Sequence, residues 1–433
     1  MFIYFVYLPL EIFNCVNCDN ICCAMYDKSK EESSSNTILK NIVRQMFNYA
    51  LSHGSFLLSD LSRLTGYSVT TISKYISVMQ EEGRVTVLGK VQKHSKGRQA
   101  VRYGVNPESG YFLGVDVKTF DLTLGLINLC GNMISSETDN TFKFSNTHEC
   151  LEHVCQKVEC FIDAQAEIDK SKILGICFNL SGRVNAMAGT SASVFNFEEM
   201  QGMSLSDLLT ERFGRKVYLE NDSKSMAFGE YSSGINQKYQ NVLYVNLGWG
   251  LGVGIIIYGK IYYGMDGYSG ELGHIPTYNN NILCHCGKKG CLETEVSGRA
   301  LHRKIMERLR AGEESILSKT LEEKGELTME DILQAVEKED PLAWEEMDKV
   351  AYNLGKAMAM LINVLNPEAI VIGGLFSDVD PAFIKAIELS TRKHSLKLVS
   401  QKVDFLGSSL KQNAGVVGAC MMARARTFDN QGF

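Results

Sequence analysis

At 433 residues, with 45% hydrophobic and 22% charged side chains and a mean hydropathy of −0.07, the chain has a globular composition with room for two or three cores, and is neither disordered nor fibrous. Its apolar start, Met1–Leu10, is half the ~20 residues of a membrane span and has no Lys or Arg ahead of it, which argues against anchoring and export. An odd thirteen cysteines then fit reduced thiols in a cytoplasmic setting, and the net charge of −6 conceals a basic stretch, ten Lys or Arg against three acids over residues 37–106, joined to an acidic body.

Residues 1–36 carry Cys15, Cys18, Cys22 and Cys23 and then the polar run SKEESSSN without helical or strand period. They are expected to form a disordered tail, with translation from Met25 as an alternative start. From residue 37 a helical period sets in: Ile38, Ile42, Met46 and Ala50 beside Leu39, Val43 and Phe47, with Asn36 as N-cap. Ser59 is expected to cap a short helix carrying Leu61 and Leu64, and Gly66 to end it. Ser68 then opens a longer helix that buries Val69, Ile72, Ile76 and Met79 and stops at Gly83. Val85–Leu88 and Val101–Val105 read as two strands joined by GKVQKHSKGRQA, a loop with four cations and no acid.

Helix, tight turn, helix and basic wing together make residues 37–106 a winged helix-turn-helix. Such a module has cations for phosphates and a helix for the major groove of duplex DNA. Ser68, Thr70, Thr71 and Lys74 are the candidates for contacts to bases or flanking phosphates. Lys93, Lys96 and Arg98 on the wing are the candidates for backbone or minor groove. The alternative use of such a surface is protein docking.

Beyond Pro107, apolar strands alternate with helical stretches: YFLGVDV, LTLGLINL, ILGICF, VYLE, NVLYVNLG, VGIIIYG and AIVIGG. This is an α/β pattern. FLGVDV…LTLGLINLCGN and VLYVNLG…LGVGIIIYGKI share the order strand, polar turn, strand, turn, which predicts two duplicated lobes.

Between Gly270 and Glu293 the sequence reads GELGHIPTYNNNILCHCGKKGCLE. His274, Cys284, Cys286 and Cys291 supply one imidazole and three thiolates, a closed set suited to structural, tetrahedral zinc. Gly287 and Gly290 let the chain turn tightly enough for Cys286 and Cys291 to meet one ion. His285 is a substitute ligand, and unmetallated buried thiols are the alternative.

These motifs, with LENDSKSMAFGE, VNLGWGLGVGIIIYGKI and LNPEAIVIGG, resemble the ROK family of repressors, open reading frames and sugar kinases over about Phe112 to Arg424. The resemblance implies an actin-like (ribonuclease H-like) two-lobed fold over residues 107–433. The small lobe would take residues 107–235 plus a C-terminal helix at 413–433, and the large lobe 236–412. It further implies a sugar bound between the lobes by Asn221, Asp222, Glu271, His274 and Glu293, whose carboxylates and amide suit vicinal hydroxyls.

Kinase members of the family carry Asp-x-Gly-Gly-Thr and Gly-Thr-Gly phosphate turns. Here Asp116 and Val117 are followed by Lys118, Thr119 and Phe120, and the second turn is Gly248, Trp249, Gly250. Phosphoryl transfer rests on positioning and charge neutralisation, so losing both turns weighs against it, and ATP and Mg2+ are not expected as cofactors. The expectation is a sugar-responsive regulator, in the repressor sense, acting as a homodimer or homotetramer on palindromic operator DNA, with no membrane partner. The alternatives are an ATP-dependent hexose or N-acylhexosamine kinase, glucokinase-like, with a DNA-binding head, in which Asp222 would be the general base, and an interaction protein with a vestigial cleft.

Overall fold

A computed structural model of the protein describes residues 42–428, apart from 44, 48, 51–52, 92–98, 198–201 and 379–380. The expected tail at 1–36, with its four cysteines and Met25, and the wing residues Lys93, Lys96 and Arg98 lie outside the described residues. The chain divides into two compact units, one holding the described residues up to Asn106 with Arg426–Phe428, the other Pro107–Ala425.

In the first unit, α1 is helical over the described residues 42–50 and buries Ile42, Met46, Phe47 and Ala50. There follow β1 (Phe56–Leu57), α2 (Leu58–Thr65), α3 (Val69–Glu81), β2 (Val85–Lys90) and β3 (Val101–Val105), with sheet order β1-β3-β2. Helix α2 begins one residue before the expected cap: Ser59 lies inside it, and the Asp60 carboxylate accepts the Leu57 N–H at 3.0 Å. An acid three residues past the first non-helical position satisfies that donor better than a serine already in the first turn. Gly66 ends α2 at φ +75°. Ser68 caps α3, its hydroxyl accepting the Thr71 N–H at 3.1 Å. Ile72, Ile76 and Met79 are buried, whereas Val69, expected inside, is exposed; at the first helical position it stands at the open end of the apolar stripe. Phe428, the last described residue, stacks on Phe47 with ring centroids 4.7 Å apart.

The second unit is built on two five-stranded sheets. The first holds β4 (Tyr111–Val117), β5 (Leu122–Asn128), β6 (Met133–Asp139), β7 (Ile173–Leu180) and β10 (Val217–Asn221) in the order β10-β7-β4-β5-β6. A small ladder, β8 (Val184–Asn185) with β9 (Thr190–Ser191), lies between β7 and β10 in the chain. The second sheet holds β11 (Val242–Leu247), β12 (Leu251–Ile257), β13 (Lys260–Ile261), β14 (Ala369–Gly373) and β15 (Asp404–Gly407) in the order β13-β12-β11-β14-β15.

The two orders are the same. In each sheet the first strand pairs antiparallel with the second through a short turn and parallel with the fourth, which in turn pairs parallel with the fifth. The repeated strand-turn-strand pattern in the sequence is therefore one sheet topology used twice. Strands β4, β5, β11 and β14 are buried along their whole length, which is why they read as continuous apolar runs and not as alternation. The edge strand β6 is polar and exposed.

Helices cover the sheets. Thr147 caps α4 (His148–Ala164), whose Leu151, Val154, Val158 and Phe161 join the first core with α5 (Leu205–Phe213). Next come α6 (Asp222–Ser232), α7 (Glu293–Val296), α8 (Gly298–Arg310), α9 (Ile316–Lys324) and α10 (Met329–Glu337). The 25-residue α11 (Pro341–Leu365) is opened by the Asp340 cap with Pro341 in its first turn and runs through a second, separate core. After α12 (Pro381–His394) and α13 (Lys397–Ser400), α14 (Ala414–Phe428) lies against the first sheet. Gly114 and Gly125 make that approach possible, since a Cβ on them would stand 2.7 Å from the Cys420 nitrogen and 2.5 Å from Val416.

Candidate functional site

In open α/β sheets, ligands settle at the carboxyl ends of parallel strands. In the first sheet Val117, Leu180 and Asn221 lie in register at that end, so Lys118, Ser181 and Asp222 follow side by side. Asn221 is the N-cap of α6: its side-chain carbonyl accepts the Lys224 N–H at 3.1 Å, and its amide donates to the Gly182 carbonyl at 3.0 Å. The Asp222 carboxylate accepts the Ser223 N–H at 2.7 Å on one oxygen and the Ser181 hydroxyl at 2.8 Å on the other, which also faces the Asn246 amide at 3.4 Å. Burial pushes the Asp222 carboxyl above its ordinary range, against the pull of the Ser181 and Ser223 hydrogen bonds.

Sequence reasoning singled out Asn221 and Asp222 but missed Ser181, Asn246 and Lys224. Lys224 is 2% exposed. Its ammonium donates to the Ser269 carbonyl at 2.8 Å, tying the first turn of α6 to the segment that carries Glu271. Burial lowers its pKa, opposed by Glu220, Glu271 and Asp222. Breaking a buried charge arrangement from one side costs roughly 3–5 kcal/mol. Lys224→Met is therefore expected to lower the melting temperature by about 5–10 °C, as followed by circular dichroism.

The second cluster is held by the loop from Gly270 to Glu293. The ligand atoms of His274, Cys284, Cys286 and Cys291 lie within 4.8 Å of one another. The Cys284 sulfur is 3.5 Å from His274 Nδ1, and the Cys286 and Cys291 sulfurs are 3.6 Å apart. Zinc bond lengths of about 2.3 Å to sulfur and 2.0 Å to nitrogen, at tetrahedral angles, place sulfur pairs about 3.8 Å and sulfur–nitrogen pairs about 3.5 Å apart. The donor set fits that ion in both chemistry and spacing.

Gly287 and Gly290 have φ of +85° and +75°, and a Cβ on Gly290 would stand 2.0 Å from the Tyr278 carbonyl oxygen, which leaves only glycine at that turn. Burial holds the His274 imidazole below its ordinary pKa, favouring the neutral form that ligates a metal. His285, the substitute ligand, has its Nδ1 2.8 Å from the Glu293 carboxylate and 3.9 Å from the Cys284 sulfur, and with His274 and Glu293 it forms a second group close enough to hold an ion.

Within the second cluster, His274 joins the thiolates to the acid at the start of the loop. Its Nδ1 faces Cys284 and its Nε2 faces the Glu271 carboxylate at 3.7 Å. Glu293 is buried, one oxygen on His285 and the other accepting the Leu251 N–H at 3.0 Å, so it fixes the start of β12 beside the Trp249 turn. Asn221 with Asp222, and Glu271 with His274 and Glu293, thus form two groups, linked by Lys224 through Ser269.

In the first unit, Ser68, Thr70 and Lys74 are exposed and Thr71 half-buried on the outer side of α3, with the Ser68 and Thr71 hydroxyls 2.9 Å apart.

Two sheets of identical topology, with polar groups gathered where their strands end, define an actin-like, two-lobed α/β protein. The chain belongs to the ROK family, which it matches over residues 112–426. It is 28% identical over 392 residues to the xylose repressor of Caldicellulosiruptor bescii, covering 90% of this chain and 96% of that one. To a glucokinase of Halalkalibacterium halodurans it is 30% identical over 309 residues, 71% of this chain and 93% of the relative. A crystal structure of a ROK family transcriptional regulator, a homologue of the E. coli MLC protein, superimposes with a TM-score of 0.74 at 27% identity, covering 90% of this chain and 97% of that one. An alignment of 392 residues is longer than the chain beyond Asn106 and so runs into the first unit; one of 309 residues is not. Among the described residues no helix is long and apolar enough to cross a membrane.

Proposed function

We propose that the protein is a sugar-responsive transcriptional repressor: the first unit binds operator DNA as a winged helix-turn-helix, and a sugar or sugar derivative bound near Asp222 and Glu271 releases it. The observation that carries this reading is the reach of the similarity. The matches to the xylose repressor and the MLC-like regulator cover nine-tenths of the chain, more than the residues beyond Asn106 alone can supply, whereas the glucokinase covers 71%. The exposed polar face of α3 and the basic composition of residues 37–106 support the DNA role. On this reading Ser68, Thr70, Thr71 and Lys74 meet the duplex from α3, and Lys93, Lys96 and Arg98 meet it from the wing. A two-fold oligomer, dimer or tetramer, would match a palindromic site.

In the cleft, Asp222 and Glu271 accept hydrogen bonds from sugar hydroxyls. Asn221, whose amide hydrogens go to the Gly182 carbonyl and to Asp222, offers its side-chain oxygen, and His274, which with the three cysteines would hold zinc, presents Nε2. Glu293 acts on the sugar through His285 and the Leu251 amide. The kinase reading keeps one observation in its favour, the Asn221–Asp222 pair beside Ser181. Against it stand Lys118, whose ammonium lies 3.4 Å from Asp116 and 3.0 Å from Asp121, and the indole of Trp249 in the second turn.

Full-length protein is expected to bind DNA from upstream of its own gene in a sequence-selective, salt-sensitive manner. Lys74→Ala should weaken that binding about tenfold and flatten its salt slope by about one. Fluorescence anisotropy at several salt concentrations checks this, and equal affinity for unrelated DNA would contradict it.

A further inference from the structure

The turns that close the first antiparallel pair of each sheet are equivalent in topology, and they touch. Phe120, in the turn between β4 and β5, meets Trp249, in the turn between β11 and β12, edge to face, with ring centroids 5.3 Å apart and planes at 87°. Both turns are held from behind. Lys118 bridges Asp116 and Asp121 in the first, and its N–H donates to the Asp121 carbonyl at 3.0 Å. Asp116 is 1% exposed, and among the described residues its carboxylate oxygens have no hydrogen-bond partner beyond that ion pair, so the ammonium is fixed where the buried charge needs it. The second turn is anchored by α8, whose Gly298 N–H donates to the Gly248 carbonyl at 2.8 Å, while the Arg299 guanidinium lies 5.9 Å from the Trp249 ring. Phe120 is nevertheless half exposed. A large ring left in water on one side and set against an indole on the other is placed for contact and not for core packing.

We propose that Phe120 and Trp249 form a clasp that holds the carboxyl ends of the two sheets together with no ligand between them, the Lys118 ion pairs keeping the first turn rigid enough to present its ring. Anything that enters between the two turns must first part the rings, and any opening of one lobe from the other must break the same contact. An edge-to-face pair shifts such an equilibrium by about threefold to tenfold.

Hydrogen exchange on the full-length protein, with neither DNA nor sugar present, tests the clasp independently of the regulator reading. Phe120→Ala is expected to speed amide exchange about threefold to tenfold in peptides over residues 248–252, in the other lobe, as well as over 118–122, while Phe120→Tyr, which keeps the ring, leaves both at the native rate. A second measurement uses the fact that the chain has two tryptophans, Trp249 and Trp344. In a Trp344→Phe background, Phe120→Ala should raise iodide quenching of the remaining indole with the far-ultraviolet spectrum unchanged. Unchanged exchange over 248–252, or unchanged quenching, overturns the clasp.

Discussion

Replacing Cys286 by Ser is expected to lower the zinc content of the purified protein, its melting temperature and its sugar affinity together. The three thiolates and the imidazole all lie in one loop, and that loop also carries Glu271 and Glu293. Losing one of the four residues that would hold the ion should release the turn at Gly287 and the orientation of His274, whose Nδ1 sits against the Cys284 sulfur at 3.5 Å. Structural zinc adds its binding free energy to folding. For a loop inside a larger domain, with its own buried neighbours Leu272, Leu292 and Val296, the loss should be on the order of 3–5 kcal/mol, a fall of about 5–10 °C. Metal analysis by mass spectrometry beside calorimetry checks it. An unchanged zinc content in Cys286→Ser would refute the ligand assignment, whatever happened to stability.

Asp222→Asn is expected to keep the fold and lose the sugar. One Asp222 oxygen accepts the Ser223 N–H, which an asparagine carbonyl replaces. The other accepts the Ser181 hydroxyl and faces Asn246, where the new amide turns an acceptor into a donor. Hydrogen bonds to a charged acceptor contribute about 1.5–3 kcal/mol each, so sugar binding should weaken about 10- to 100-fold. Isothermal titration with the effector sugar measures this. Unaltered affinity would remove Asp222 from the site.

Much of the second unit was legible in the sequence because its physics is local or repetitive. Strands β4, β11 and β14 are covered on both faces and read as unbroken apolar runs. The strand-turn-strand echo predicted two lobes, and the sheets share one order. The four metal-ligand candidates lie within eighteen residues of chain, and spacing alone brought them together. In the first unit the Ser68 cap was legible, but β1, two residues long, is too short to show a period. Asp60 displaced Ser59 as the group that satisfies the start of α2, a competition between neighbouring caps that a sequence does not rank.

What stayed hidden depends on contacts between distant segments. Lys224 reads as an exposed lysine early in a helix, and it is the Ser269 carbonyl together with the charges of Glu220, Glu271 and Asp222 that makes its burial tolerable. Ser181 reaches Asp222 from the end of the neighbouring strand β7, and Asn246 from β11 of the other sheet, so the parallel register places the first and only the approach of the two sheets places the second. Lys118 and Trp249 read as departures from phosphate-binding turns, but that Phe120 touches the indole follows only from the folding of both lobes.

Sugar-released DNA binding is tested most directly by titrating the complex between the full-length protein and its upstream DNA with a panel of sugars and sugar phosphates. One of them is expected to dissociate the complex, and the same compound to fail with Asp222→Asn although DNA binding is intact. A complex indifferent to every compound, beside ATP-dependent phosphorylation of one of the sugars that Asp222→Asn abolishes, would contradict it.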